Sequence, residues 1–212
     1  VSSLITCGRL AESYAVVLHL ANTFYTSNEN RTSLFIRLKD MLMKQSQLIG
    51  IPLTISALAQ IVKVEAELGI PIPSREEQEE NSRYKNMEAT AELEARGENT
   101  MRTLYRSNLD QIMSTWNAHQ VDFEWLEKRI IYGLFLSDHE ILDPVETEIL
   151  VLASIMCQGL ESPTMWHIRG LRRLGISVED TEKVCDIVKM GARFSGKETS
   201  GWLMAKDVDI SG

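Results

Sequence analysis

Residues 142–177 hold the feature that most constrains the fold. Asp143 stands where a helix N-cap belongs, Pro144 fits the first turn, and Glu146 follows three residues after the cap, the spacing of a capping box. The run from Ile149 to Met156 is apolar nearly all round, and a helix without a polar face must be buried on every side. Other helices are therefore expected to wrap around this one. Two polar groups interrupt the pattern. Glu148 enters the apolar helix near its start, and His167 follows a Gly159–Pro163 break, on a helix that Gly175 ends. A carboxylate and an imidazole on adjacent buried helices form a candidate proton relay, because imidazole titrates near neutrality and a carboxylate neighbour orients it. The same residues equally read as two core groups that satisfy each other.

The rest of the chain carries helical spacing and no alternating strand pattern of useful length, so the fold class is all-α. Residues 4–25 place Leu10, Tyr14, Val17, Leu18, Ala21 and Phe24 at helical offsets, and 26–30 read as a turn. A helix over 33–48 uses Leu34, Leu38, Met41, Leu42, Gln45 and Leu48. After Gly50, Pro52 opens another, with Leu53, Ala57, Leu58, Ile61 and Val64 inward and Gly69 at its end. Pro71 and Pro73 start a Glu-rich helical connector with a second capping box, Ser74 and Glu77, closed by a break at Gly97. Short amphipathic pieces follow around Met101–Tyr105 and Leu109–Trp116. Phe123, Leu126, Ile130, Ile131, Leu134 and Phe135 predict a strong helix ending near Ser137. The last helix starts at about Ser177, turns Val184, Ile187, Val188 and Met190 inward, and ends or kinks at Gly191. Trp202, Leu203 and Met204 in the tail are free to dock on a neighbour. Arg37–Leu53 loosely resembles Glu179–Phe194, a helix closing on Gly before a short apolar restart. These signals divide the chain into a divergent first repeat (1–70), a connector (71–96), a second repeat (97–196) and a tail (197–212).

Composition excludes several function classes. Thirty acidic against 22 basic residues give a net charge of −8, which argues against non-specific nucleic-acid or anionic-membrane binding. Arg169, Arg172 and Arg173 form only a local basic face. No run of 18 apolar residues is present, so no membrane span is expected, and the start lacks the charged region of a signal peptide. Cys7, Cys157 and Cys185 are scattered and read as free thiols in a reducing compartment, and His19 has no second ligand at a helical offset. The expected location is intracellular: cytosol, or a peroxisomal or mitochondrial matrix, although Ile-Ser-Gly at the end is no Ser-Lys-Leu-type address.

Several stretches together carry a family resemblance. They are Arg96-Gly97 with Met101–Tyr105, Phe123 to Tyr132-Gly133, the helix from Leu142 to Met156, and Trp166-His167-Ile168-Arg169-Gly170 through Leu174-Gly175-Ile176-Ser177. Leu48-Ile49-Gly50-Ile51-Pro52 adds to them from the first half. Over about 95–195, and partly over 30–65, the chain resembles the carboxymuconolactone decarboxylase family of the alkylhydroperoxidase D-like superfamily. The resemblance implies a helical bundle of two related repeats and a symmetric assembly; apolar faces left over by the short helices make a homotrimer of two-repeat chains the expected form. It also implies no metal and no organic cofactor. Glu148 and His167 fall at the family's Glu and His positions, so a decarboxylase-type enzyme would use His167 as general acid/base on a small carboxylic or lactone substrate, with Glu148 orienting it. Tyr132, Trp166 and Arg169 are the candidate substrate-binding residues. The family's hydroperoxidase branch needs two cysteines at positions that here hold Leu160 and Pro163, which makes a thiol-dependent hydroperoxidase the weakest reading. A non-catalytic oligomeric scaffold of the same fold is the main alternative to the enzyme.

Overall fold

A computed structural model describes residues 1–80, 90–116 and 119–210, and the described residues are helical with no strand. Residues 81–89, the middle of the expected connector, lie outside them. The helix at the centre is the expected one, α9 (Pro144–Gln158). Its capping box is formed: Glu146 N–H donates to Asp143 Oδ1 at 2.8 Å, and Asp143 N–H donates to Glu146 Oε2 at 3.1 Å. Every residue from Leu150 to Cys157 is buried, as a helix without a polar face requires. Gly159 ends it in a left-handed conformation, φ 75°.

Four helices make the first half: α1 (Ser2–Thr6), α2 (Leu10–Thr23), α3 (Asn28–Ile49) and α4 (Ile51–Glu67). The single helix expected over 4–25 is broken, because Gly8 takes φ 73° and turns the chain between α1 and α2. The expected turn at 26–30 instead starts α3, since the Ser27 hydroxyl accepts from Asn30 N–H. In α4 the inward stripe is Thr54, Ala57, Ile61 and Val64; Leu58 lies outside it. These helices share one apolar cluster that includes Ile5, Val17, Phe35, Leu38 and Ile61.

The second half comprises α5 (Arg75–Glu80), α6 (Ala91–Tyr105), α7 (Asn108–Ser114), α8 (Gln120–Trp125), a π-helix (Leu126–Leu136), then α9, α10 (Glu161–Arg173) and α11 (Val178–Phe194). The Ser74–Glu77 capping box is present at α5. Gly97 does not break the chain. It sits inside α6, where a Cβ would lie 2.1 Å from the carbonyl oxygen of Lys128 and 2.7 Å from the nitrogen of Gly133 on the π-helix. Two glycines thus let two backbones touch. The π winding, with hydrogen bonds reaching one residue further than in an α-helix, also changes which residues point inward. Phe123 is exposed, Leu126, Ile130, Ile131, Leu134 and Phe135 are half-buried, and Tyr132, Gly133 and Leu136 are the buried ones.

α11 runs through Gly191 to Phe194 without a break, unlike α3 at Gly50, so the restart expected in both stretches occurs only in the first. Its inward stripe is Thr181, Cys185, Val188 and Ala192, leaving Ile187 and Met190 exposed. Trp202, Leu203 and Met204 pack on the cluster around Leu152, Ile168 and Val188 of their own chain.

A polar layer joins the two halves. Lys44 of α3 is fully buried; its ammonium donates to Thr147 Oγ1 at 2.8 Å and to the Leu142 carbonyl at 3.2 Å, and lies 3.5 Å from Asp40 Oδ2. Beside it, the amide of Gln45 reaches Thr6 Oγ1 at 2.9 Å and Ser154 Oγ at 3.2 Å.

Candidate functional site

α9 and α10 cross so that Glu148 and His167 face each other. His167 Nδ1 lies 2.7 Å from Glu148 Oε1. A carboxylate only accepts, so Nδ1 carries the proton and donates it. The other ring nitrogen of neutral imidazole then accepts, and Tyr105 of α6 is there, its hydroxyl 3.2 Å from Nε2. The Tyr105 hydroxyl in turn lies 2.6 Å from that of Tyr132 on the π-helix. One hydrogen-bond chain therefore links Tyr132, Tyr105, His167 and Glu148, residues from four helices. Trp166 packs its ring edgewise on Tyr105, with centroids 6.3 Å apart.

Space for the carboxylate comes from a glycine. A Cβ on Gly170 would stand 2.2 Å from Glu148 Oε1. The His167 and Glu148 side chains are only 4% and 3% exposed, so neither meets bulk water in this conformation. Burial raises both tyrosine hydroxyls above their ordinary range, and the Glu148 charge adds to it, so both hydroxyls stay protonated.

Glu127, at the start of the π-helix, was not expected at the site. It is half-buried and one π-type hydrogen-bond step before Tyr132, on the same side of that helix. Burial raises its carboxyl above the usual range, and the nearby His167 opposes part of that shift. The unfolded chain then ionises before the folded one, so this group costs stability once pH rises above the ordinary carboxylate value. Glu127→Gln is expected to raise the melting temperature at pH 7. The gain should vanish as pH falls below the ordinary carboxylate value. Parallel melts of the two proteins from pH 3 to 8 check this, and a gain that persists in acid would contradict it.

Of the predicted residues, Glu148, His167, Tyr132 and Trp166 come together. Arg169 does not. Two residues beyond His167 it points to the far side of α10, where it is half-buried and its Nε donates to the Asp209 carbonyl at 2.7 Å. An open groove of about 630 Å³ exists, but it lies elsewhere, against Thr32, Ile36, Arg37, Glu140 and Ile141. Arg37 there is held by Glu146 and by the Ile141 carbonyl.

Tyr105 and Glu127 were missed as site residues. Tyr105 sits on an amphipathic stripe beside Met101 and Leu104, where an aromatic reads as core, and nothing in the local sequence marks its hydroxyl as a partner of His167.

The cysteines lie apart from this chain of groups. Burial pushes the Cys157 and Cys185 thiols up to about 12, and Cys7, half-buried, packs beside the cluster that holds them. A thiol so raised is unreactive near neutrality. A thiol reagent at pH 8 is expected to modify Cys7 in the folded protein and all three cysteines only after unfolding. Rapid native modification of Cys157 or Cys185, read by mass spectrometry, would contradict that.

Among the described residues, no group of three or more His, Cys, Asp or Glu is placed to hold a metal ion, and no helix is long and apolar enough to cross a membrane. No protein family model matches the chain, and no solved structure matches it. Over 169 residues the chain is 22% identical to Peroxisomal protein 2 of Schizosaccharomyces pombe (strain 972 / ATCC 24843), a stretch covering 77% of this chain and 75% of that protein.

Proposed function

We propose that this chain is a carboxymuconolactone decarboxylase-like protein of the alkylhydroperoxidase D-like fold. It would move a proton on a small carboxylic or lactone substrate, with neither metal nor organic cofactor. The observation that carries the reading is the buried chain Tyr132–Tyr105–His167–Glu148. Burying four polar side chains is costly against an apolar core, and such groups concentrate where chemistry needs them. In this reading Glu148 fixes the imidazole tautomer and stabilises the imidazolium. His167 Nε2 takes or gives the proton, either after the Tyr105 hydroxyl swings aside or through it. Protonation of the delocalised carbanion left when carbon dioxide departs would complete the reaction on an unsaturated lactone acid. Trp166 and Tyr132 flank the place where such a substrate would meet the imidazole. The chains would assemble as homotrimers of two related repeats. The likeness to a protein named as peroxisomal supports a peroxisomal matrix location.

A second reading, a non-catalytic oligomeric scaffold, is favoured by how completely His167 and Glu148 are sealed from solvent. A thiol-dependent hydroperoxidase has less support, because the raised Cys157 and Cys185 thiols resist becoming thiolates.

The test is carbon dioxide release from a panel of unsaturated lactone carboxylic acids. His167→Gln, which keeps a hydrogen-bonding side chain, is expected to lower any wild-type rate by about 10²–10⁴-fold, the usual worth of a general acid/base. Wild-type and His167→Gln rates that match across the panel would leave the scaffold as the better reading.

A further inference from the structure

α4 is apolar on both sides. Its inward stripe, Thr54, Ala57, Ile61 and Val64, packs on α2 and α3. Its outward stripe is Ile51, Ile55, Leu58 and Val62, exposed by 59, 57, 38 and 51%. From Ile51 to Val62 the sequence has no charged residue. Surface helices normally carry their charges on the outward face, so an apolar outward stripe calls for a cover.

The spacing of that stripe indicates what covers it. Steps of four, three and four residues are those of a coiled-coil seam. Placed against itself antiparallel, the stripe fills every layer: Ile55 meets Leu58 of the other copy, and Ile51 meets Val62. Exposed Ala59 and Ala66 flank the seam and allow close approach.

The helix ends also match in charge. Glu65 continues the seam one step past Val62. Gly50 at the start of α4 provides no side-chain cap, and no acid lies in the first turn. Antiparallel packing brings each Glu65 to the other copy's uncapped, positive N-terminus, whereas parallel packing would set the two carboxylates against each other. The stripe and its small neighbours expose roughly 500 Å² per copy, about 1,000 Å² for a pair, the lower limit of a specific interface.

We propose that α4 is a two-fold interface, pairing antiparallel with α4 of a second copy through Ile51, Ile55, Leu58 and Val62. The contact is independent of any reaction at His167. It doubles whatever assembly the rest of the surface makes, so that the proposed homotrimer would pair into a hexamer and the particle contains an even number of chains.

Light scattering on a sizing column, with sedimentation to obtain the association constant, tests this on the full chain. Wild-type protein is expected to contain an even number of chains. Ile55→Glu should halve that number at unchanged helical circular dichroism, because it buries an unpaired carboxylate at the seam, with a loss of at least about 100-fold in association. Val62→Lys serves as an independent second variant with the same expected outcome. Glu65→Lys should weaken pairing by roughly 10-fold, because it places a cation at the partner's positive helix end. Three results would overturn the proposal: an odd number of chains in the wild type, unchanged mass in folded Ile55→Glu or Val62→Lys, or tighter pairing in Glu65→Lys. The last would mean that Glu65 does not face the other copy's positive helix end.

Discussion

Gly97→Ala is expected to destabilise the protein by roughly 3–5 kcal/mol, the range reserved for a clash that the structure has no means of relaxing. The added Cβ would meet the Lys128 carbonyl oxygen at 2.1 Å, the Gly133 nitrogen at 2.7 Å and the Gly133 Cα at 3.0 Å. All three are backbone atoms, so no rotamer change makes room. α6 and the π-helix would have to separate, and that would pull Tyr105 away from Tyr132. Gly133→Ala should act alike, since its Cβ would stand 2.5 Å from the carbonyl oxygens of both Leu93 and Lys128. Gly191→Ala is the control. It meets only the Ser3 side chain, at 3.1 Å, and alanine favours a helix interior over glycine by about 1 kcal/mol, so the two effects nearly offset. Urea midpoints for the three variants check the order. A Gly97→Ala protein as stable as the Gly191→Ala protein would mean that the two backbones do not touch as described.

The second large effect belongs to Lys44. Lys44→Ala is expected to cost about 3–5 kcal/mol, the usual consequence of removing one partner of a buried ion pair. Asp40 would lose the cation 3.5 Å away, and the Thr147 hydroxyl and Leu142 carbonyl would lose their buried donor. Lys44→Met, which keeps the volume, should recover the packing share of that cost but not the charge share. Lys44→Met combined with Asp40→Asn removes both charges and should regain most of the rest, because a charge-free buried pair has no desolvation cost to recover. A double variant no better than Lys44→Met would show that Asp40 is held chiefly by groups other than Lys44. The same layer seats α9, with Thr147 next to Glu148, so loosening it is also expected to lower any activity that depends on His167.

The features that were legible in the sequence are local ones. The capping box at Asp143 and Glu146, its counterpart at Ser74 and Glu77, and the helix stop at Gly159 are each settled within four residues of chain. Burial of α9 followed from the lack of any polar face, whatever its neighbours were. The pairing of Glu148 with His167 was within reach for a related reason. Both belong to helices joined by a short break, and each was the polar exception in its surroundings. Arg169 was misread because sequence proximity to His167 is no guide to direction on a helix, where two residues are more than half a turn.

Tertiary structure decided the remainder. Tyr105 meets His167 across 62 positions, and Tyr132 meets Tyr105 across 27. Gly97 reads as a break in one dimension and acts as a contact in three, because only the approach of the π-helix gives the missing Cβ its purpose. Lys44 on α3 is buried only because Thr147 of α9 and the Leu142 carbonyl close over it. The sequence by itself determined the helices, their caps and the presence of a buried acid and imidazole, since hydrogen bonding along the chain and apolar periodicity are short-range. Which hydroxyls join the hydrogen-bond chain of the buried acid and imidazole, which backbones touch and which face of α4 stays uncovered were decided only by packing, because those contacts depend on how helices distant in the chain are oriented against one another.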